Sequence, residues 1–237
     1  MKIRIKFGKE GDLKFIGHLD VMHFYQKALR RAGIPICYSA GFSPHQIMSF
    51  ASPLSLGLTS EGEYMDIEVS ESGTSAEMLA KLNEQMVEGA RCYSWRKLPD
   101  DAENAMASLA AADYTVRFRP GYGPESWEQF SKEFSAYCSQ KSIMVEKQTK
   151  RSTREVDIRP LIYDLKISDG EVFMQVASGS VNHLKPEMVF EAFYRGKGEE
   201  LSPFALLIHR KEMYTDLGDE NNRRLVPLED VGDDIMA

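Results

Sequence analysis

The sequence predicts an α+β protein, and three observations lead to that fold class. Short stretches that alternate polar and apolar residues, the period of a half-buried strand, open both halves of the chain. Each half also contains longer stretches with apolar residues at helical spacing. The elements follow the order strand, helix, strand, strand, helix, strand in the first half, and the second half repeats this order with an inserted strand. That order predicts two tandem ferredoxin-like (split βαβ) halves with antiparallel sheets.

The first half begins with a strand and a long amphipathic helix. Residues 2–7 alternate Lys or Arg with Ile and Phe, which predicts a strand with one buried face. An apolar stripe over 19–32 predicts a helix that Gly33 ends. Pro35 makes the next strand an edge strand, because proline cannot donate to a central ladder. The other elements predicted in this half are strands at 34–38, 47–50, 63–69 and 90–95 and a helix at 75–86.

The second half follows a change in composition. Residues 98–112 are first acidic and then rich in Ala, which indicates a linker with a short helix, and residues after 215 form an acidic tail that is either poorly ordered or packed at an edge. Between them, the predicted elements are strands at 114–119, 143–147, 162–167, 172–176 and 204–214 and helices at 127–138 and 186–194. The predicted organisation is a domain at 1–97, a linker at 98–112, a domain at 113–215 and a tail at 216–237.

Composition limits the class of protein. The 237 residues are 43% hydrophobic but contain no apolar run long enough for a transmembrane helix, and the charged start does not resemble an export signal. Cys37, Cys92 and Cys138 are far apart and form no CxxC pair, so neither an iron–sulfur cluster nor a structural zinc site is expected. Free thiols are typical of a reducing compartment. We therefore expect a cytoplasmic protein with no membrane contact, no metal and no cofactor.

The net charge of −7 is unevenly distributed. Residues 1–50 hold eight basic and three acidic residues, a net charge of +5, whereas residues 211–237 hold three basic and eight acidic ones, a net charge of −5. A basic segment in an acidic protein predicts a local site for an anion, with a solvated charged face as the plainer interpretation.

Several short motifs occur in a fixed order. They are Gly17-His18-Leu19-Asp20, Gly41-Phe42-Ser43-Pro44-His45, Pro53-Leu54-Ser55-Leu56-Gly57, Glu63-Tyr64-Met65-Asp66 and Glu155-Val156-Asp157-Ile158-Arg159-Pro160. Together they resemble the radical SAM-linked family of bacterial proteins, an uncharacterised family (DUF2344). The resemblance implies association with a neighbouring radical SAM enzyme, sometimes as a fused C-terminal domain. The chain lacks a cluster-binding CxxxCxxC, so it is not expected to be that enzyme itself.

Two groups of residues are candidates for binding nucleic acid. The first combines helix cations, which suit phosphates, with a loop stiffened by Gly41 and Pro44 that presents an aromatic ring and an imidazole. The second is a polar, turn-like basic stretch in the second half. The candidate residues are Lys27, Arg30, Arg31, Phe42 and His45 in the first group and Lys150, Arg151 and Arg154 in the second.

His18 and His45 are the candidates for catalysis. If the loop folds over the helix start, the two imidazoles could act as base and acid in metal-free RNA cleavage. They could equally contribute to a metal site with Asp20 or Glu63. Asp20 is explained by the helix dipole alone, because first turns favour Asp.

The function predicted first is that of an accessory protein of a radical SAM enzyme that binds tRNA or rRNA through a basic N-terminal face and is not an enzyme on its own. Two alternatives stay open. One is a metal-free endoribonuclease that uses His18 and His45. The other is a protein-interaction module that docks on the radical SAM enzyme through the apolar segment Pro53–Gly57.

Overall fold

The computed structural model describes residues 1–148, 153–168, 170–219 and 222–237. The chain divides into two compact units, one formed by residues 1–110 and 210–237 and the other by residues 111–209. Both contain helices and antiparallel strand pairs, which confirms a mixed α+β protein. In the described part of the chain, every helix is too short or too polar to cross a membrane.

Strands and helices alternate along the chain. The strands are β1 (Lys2–Lys9), β2 (Met48–Phe50), β3 (Thr59–Glu68), β4 (Ala90–Lys97), β5 (Leu109–Phe118), β6 (Met144–Gln148), β7 (Thr153–Asp157), β8 (Ile162–Ser168), β9 (Glu171–Ala177), β10 (Leu206–Asp216) and β11 (Leu225–Pro227). The helices are α1 (His18–Arg31), α2 (Ser75–Asn83), α3 (Ala105–Ser108), α4 (Trp127–Cys138) and α5 (Pro186–Gly196). Short 3₁₀ helices cover Gly11–Phe15, Arg159–Leu161 and Leu228–Val231.

The first unit is built on a sheet in the order β4-β1-β3-β10, with β2 beside β3 and β11 beside β10. β1 pairs antiparallel with both β3 and β4. The alternation of β1 turns its apolar side chains toward the helices, where they join one hydrophobic core. Members of that core include Ile3, Ile5, Phe7, Tyr25, Ala28, Leu29, Met65, Ile67, Met78, Leu82 and Trp95.

The alternate residues of β1 belong to a buried polar network. Arg4 is fully buried, and its guanidinium donates to both carboxylate oxygens of Asp66 at 2.8 and 2.9 Å. It also donates to the carbonyl oxygens of Leu228 and Glu103 at 3.1 Å each. The N–H of Ala105 gives Asp66 a further donor at 2.7 Å. An ion pair at this depth persists because nearly all of its hydrogen-bonding capacity is used.

The C-terminal segment packs on this unit. β11 pairs antiparallel with β10, and Leu228 is fully buried. The N–H of Ser75 donates to the carbonyl oxygen of Ile235 at 2.9 Å, and Lys97 forms an isolated bridge with Asp233. The sequence left open whether the acidic tail packs at all, and these contacts place it along the edge of the unit.

The second unit contains the strand order β5-β9-β8 and a separate hairpin of β6 and β7. Its helices α4 and α5 pack through aromatic rings: the centroids of Phe134 and Phe190 are 4.6 Å apart, and those of Phe134 and Phe193 are 5.1 Å apart. Ser126 caps α4 by accepting the N–H of Gln129 at 3.3 Å. Helix–helix packing of this kind buries the apolar stripes that the sequence shows at helical spacing.

The edge strand predicted at 34–38 is wrong as a continuous element. Ile36 and Tyr38 instead form single antiparallel bridges, with Val69 and Gln46 respectively. Pro35 supplies no N–H for a ladder, and only isolated pairings form after it.

Candidate nucleic-acid interface

The exposed side of α1 carries a row of residues spaced four apart. Leu19, His23, Lys27 and Arg31 are all exposed and recur once per turn, and Arg30 is exposed beside them. The opposite side of the helix, with Tyr25, Ala28 and Leu29, is buried in the core. We call the row from Leu19 to Arg31, with Arg30, the α1 stripe.

A loop at residues 39–46 lies beside this helix. It is closed at its base by the Tyr38–Gln46 bridge and by the N–H of Ser39, which donates to the carbonyl oxygen of His45 at 2.8 Å. Gly41 has a φ of +113°, a conformation that L side chains rarely adopt. The chain therefore turns where only glycine fits without strain, and the tip of the loop projects away from its base.

One hydrogen bond ties the loop to the helix. The side-chain amide of Gln46 donates to the carbonyl oxygen of Gln26 at 3.3 Å, and Gln46 is buried. Gln26 is followed by Lys27, and Arg30 lies one turn further along the same side of α1. The loop and the cations of the α1 stripe thus belong to one local surface.

Phe42 stands at the tip of this loop and is fully exposed, at 109% of its reference accessibility. The sequence allowed a second interpretation, in which Phe42 fills the core of a tight turn, and the structure excludes that packing. Phe42 is thus a large apolar ring that a loop hydrogen-bonded to α1 holds in solvent. It is available as a platform on which a planar group can stack.

His45 is fixed at the base of the same loop. Its Nδ1 lies 2.9 Å from Oγ of Ser39, and the same Oγ accepts the backbone N–H of His45 at 3.1 Å. The side chain is exposed. With Nδ1 engaged by Ser39, Nε2 is the ring atom left to bind a ligand oxygen.

His18 has a different environment. It is the first residue of α1, follows the N-cap Gly17, and packs its ring edge-on against Phe50, with centroids 5.2 Å apart. Phe50 belongs to the buried core. The ring of His18 thus packs against Phe50, whereas the ring of His45 is hydrogen-bonded to Ser39.

Four of the eight basic residues in the first fifty bind groups of the first unit itself. Lys2 donates to the carbonyl oxygens of Asp100 and Ala102, and Lys9 to that of Ile16 at 2.8 Å. Arg4 is paired with Asp66, as described above. The +5 charge of this segment thus overstates what a ligand meets, and the cations that remain exposed on α1 are Lys27, Arg30 and Arg31.

Lys6 is the fourth of these internal cations. Its ammonium group lies 2.5 Å from a carboxylate oxygen of Glu212 and 2.6 Å from one of Glu229. Burial by itself lowers the pKa of Lys6, but the two acidic partners outweigh it and raise the pKa above its usual value. Tyr64 donates to Glu212 at 2.5 Å, and burial together with that carboxylate raises the pKa of Tyr64 far above its usual value. Lys6 therefore stays protonated and Tyr64 stays neutral, and the network stabilises the fold of the first unit.

The side chains suggested for a metal site do not form a group of ligands among the described residues. Both carboxylate oxygens of Glu63 accept from Arg210, at 2.8 and 2.6 Å, and Asp20 is exposed in the first turn of α1. Over the residues that the structure describes, no three His, Cys, Asp or Glu side chains are grouped to hold a metal ion. Burial raises the pKa of the Cys92 and Cys138 thiols to about 12, so neither is a ready thiolate ligand.

The second basic group is described only in part. Lys150 and Arg151 lie outside the described residues. Arg154 is exposed on β7 in the second unit, whereas the α1 stripe belongs to the first.

Sequence reasoning missed three exposed residues that lie on α1 or directly precede α1 or the loop in the chain. Phe15 and Tyr38 are aromatic and 67% and 52% exposed, and His23 is exposed on the α1 stripe. The four-residue spacing of His23 from Leu19 and Lys27 was a usable signal. The sequence contains no signal that Phe15 and Tyr38 are exposed, because an aromatic residue in a strand or a turn is more often buried.

The comparisons with known proteins establish the family. Residues 2–186 match the family described as an uncharacterized protein conserved in bacteria (DUF2344). The chain belongs to this family. No curated protein matches it in sequence.

Solved structures resemble the chain only distantly. A chain of a Cbf5-Nop10-Gar1 complex is 10% identical with a TM-score of 0.45, and the match covers 89% of this chain and 48% of that one. The chain thus spans about half the length of that structure. An unknown protein from Galdieria sulphuraria is 14% identical with a TM-score of 0.24, over 88% of this chain and 96% of that one.

Proposed function

We propose that this DUF2344 protein binds RNA through the α1 stripe and the 39–46 loop. Lys27, Arg30 and Arg31 would contact phosphates, while Phe42 would stack on a base and His45 would donate to a phosphate or a sugar oxygen. The observation that carries the proposal is the full exposure of Phe42 on a loop that is hydrogen-bonded to the helix beside Lys27. Cations next to an exposed aromatic ring are the combination that proteins use to bind nucleic acid strands.

The test is equilibrium binding of fluorescein-labelled RNA at several salt concentrations. Three phosphate contacts predict that log K falls with log salt with a slope of about −2 to −3. The double variant Arg30→Ala/Arg31→Ala is expected to flatten this slope by about 1.5, because two contacts are lost. The matched control is Lys132→Ala/Lys166→Ala, which removes two exposed cations of the second unit and should leave the slope unchanged.

Two results would count against the proposal, and a third would favour the alternative function. Wild-type protein that binds no RNA at low salt would overturn it, as would a control variant that weakens binding as much as the arginine variant. RNA turnover that His45→Ala abolishes while binding is retained would favour the endoribonuclease instead.

We also propose that the protein works in the cytoplasm as an accessory of a radical SAM enzyme. The partner follows from the motifs that resemble the radical SAM-linked family, and the compartment is supported by the free state of Cys37, Cys92 and Cys138. Co-purification of the RNA and the enzyme with this protein tests the assignment. Tight association with the enzyme in high salt, without RNA, would instead favour the docking module with its apolar segment Pro53–Gly57.

The fold proposal is that each unit derives from a ferredoxin-like half. In the first unit, the chain order β1-α1-β2-β3-α2-β4 and the lateral order β4-β1-β3-β2 support it. In the second half of the chain, β5, α4, β8, β9, α5 and β10 follow the same chain order, with the β6–β7 hairpin inserted after α4 and most of β10 belonging to the first unit.

A further inference from the structure

We infer that the RNA is single-stranded and that Phe15 is a second base-stacking platform on the same surface. This inference rests on the proposed function and adds to it the class of RNA and a residue that the sequence motifs do not contain. It follows from how Phe15 is held, from the cation beside it, and from the length of α1 between its first residue and the point where the 39–46 loop is attached.

Phe15 is held open to solvent by anchored neighbours. It ends the 3₁₀ helix Gly11–Phe15, and its side chain is 67% exposed. The carbonyl oxygen of Ile16 accepts the ammonium group of Lys9 at 2.8 Å, and that of Lys14 accepts the N–H of Gly57 at 2.8 Å. The ring is thus presented by a backbone fixed on both sides, so stacking a base on it orders little of the chain.

A cation accompanies this ring. The ammonium group of Lys14 lies 5.1 Å from the centroid of Phe15, within the range of a cation–π contact. A base stacked on the exposed part of the ring would therefore carry its phosphate next to a positive charge. Phe42 belongs to the loop that is hydrogen-bonded to α1 at Gln26, the residue before Lys27.

The spacing of the two platforms indicates a strand of several nucleotides. From His18 to Gln26, where the loop is attached, α1 rises about 12 Å. Stacked bases are about 3.4 Å apart along one strand, so the two rings would receive bases that are not neighbours. His23 lies on the α1 stripe between His18 and Gln26 and can contact the intervening backbone.

Stacking on side chains requires unpaired bases. In a duplex each base is covered by the base pairs above and below it, so Phe15 and Phe42 would meet only its backbone. Phe15, Leu19 and Leu56 are also exposed apolar side chains, of the kind that a protein partner covers. The cations of Lys14 and the α1 stripe favour a polyanion over that partner.

The experiment compares Phe15→Ala with the control Phe204→Ala, which removes an exposed phenylalanine of the second unit. Both variants and the wild type are titrated into labelled oligouridine of about 12 nucleotides, within the site sizes seen for single-strand binders, and into an RNA duplex of equal length. Phe15→Ala is expected to weaken oligouridine binding about 5-fold or more, and Phe204→Ala to leave it unchanged. The variant Phe15→Ala/Phe42→Ala should show the product of the two single effects, because separated platforms act independently.

The other outcomes overturn either this inference or the proposed function on which it rests. Oligouridine binding that Phe15→Ala does not change, or duplex binding as tight as single-strand binding and equally sensitive to Phe15→Ala, overturns this inference while the proposed function stands. A wild-type dimer that Phe15→Ala dissociates without changing RNA affinity makes the patch a protein contact and also overturns the inference. Wild type that binds neither RNA removes the proposed function itself.

Discussion

Replacing Arg4 by Met is expected to destabilise the first unit strongly, because it leaves a buried carboxylate without its cation. The guanidinium of Arg4 is fully buried and donates four hydrogen bonds, two of them to Asp66. Without it, Asp66 retains the N–H of Ala105 among these donors. Breaking a buried ion pair by removing one partner costs about 3–5 kcal/mol. That cost is a large share of the roughly 5–15 kcal/mol by which folded domains are stable.

Urea unfolding followed by tryptophan fluorescence measures this loss. Trp95 is buried in the first unit and Trp127 belongs to the second, so a Trp127→Phe background makes the signal report on the first unit. The matched control is Lys211→Met, which removes a cation paired with Glu61 at the surface of the same unit. An exposed pair of this kind contributes about 0–1 kcal/mol.

A double variant tests the reason for the loss. The double variant Arg4→Met/Asp66→Leu leaves no unpaired charge buried at this position. It should therefore be more stable than either single variant. An Arg4→Met variant that loses less than about 1 kcal/mol, or a double variant that loses the sum of the two single effects, would refute the reasoning.

Two further predictions concern the local structure of the first unit and the thiols. Thr74→Ala is expected to cost about 1 kcal/mol in urea unfolding, because Thr74 and Glu77 form a reciprocal capping box at the start of α2; an unchanged midpoint would show that the box is unimportant. At pH 8 a thiol reagent should label Cys37 first in folded protein, because Cys92 and Cys138 are buried and burial raises the pKa of both thiols to about 12. Mass spectrometry counts the labels, and rapid modification of two thiols would contradict the packing.

Elements with a strong local signal were predictable from the sequence. The helix at 127–138 was predicted with the bounds that α4 has, since Ser126 is a capping residue and the aromatic residues recur at helical spacing. The helix predicted at 19–32 is shifted by one residue from α1. The hairpin of β8 and β9 also follows its alternating pattern.

The buried charges could not be predicted in the same way. The alternation in 2–7 places Ile3 and Ile5 on one face of β1, but it treats the other face as solvated. Arg4 and Lys6 are instead covered by residues more than two hundred positions away, including Leu228 and Glu229. A contact of that sequence separation leaves no trace in local periodicity.

The candidate site was predicted in part. Gly41 and Pro44 signalled a stiff turn, which the structure confirms through the positive φ of Gly41. The exposure of Phe42 was undecided, because a phenylalanine in a turn can equally fill the core. The Gln46–Gln26 hydrogen bond joins residues twenty positions apart and has no sequence signature.

The central claim is that Phe42 stacks on an RNA base, and the affinity of Phe42 variants for single-stranded RNA tests it most directly. Base–aromatic stacking is worth about 1–3 kcal/mol, so Phe42→Ala is expected to weaken binding about 5- to 150-fold, while Phe42→Tyr keeps a ring and should bind like wild type. Because Phe42 is fully exposed, neither change should alter the urea midpoint. Equal affinity of Phe42→Ala and wild type, at unchanged stability, would contradict the account.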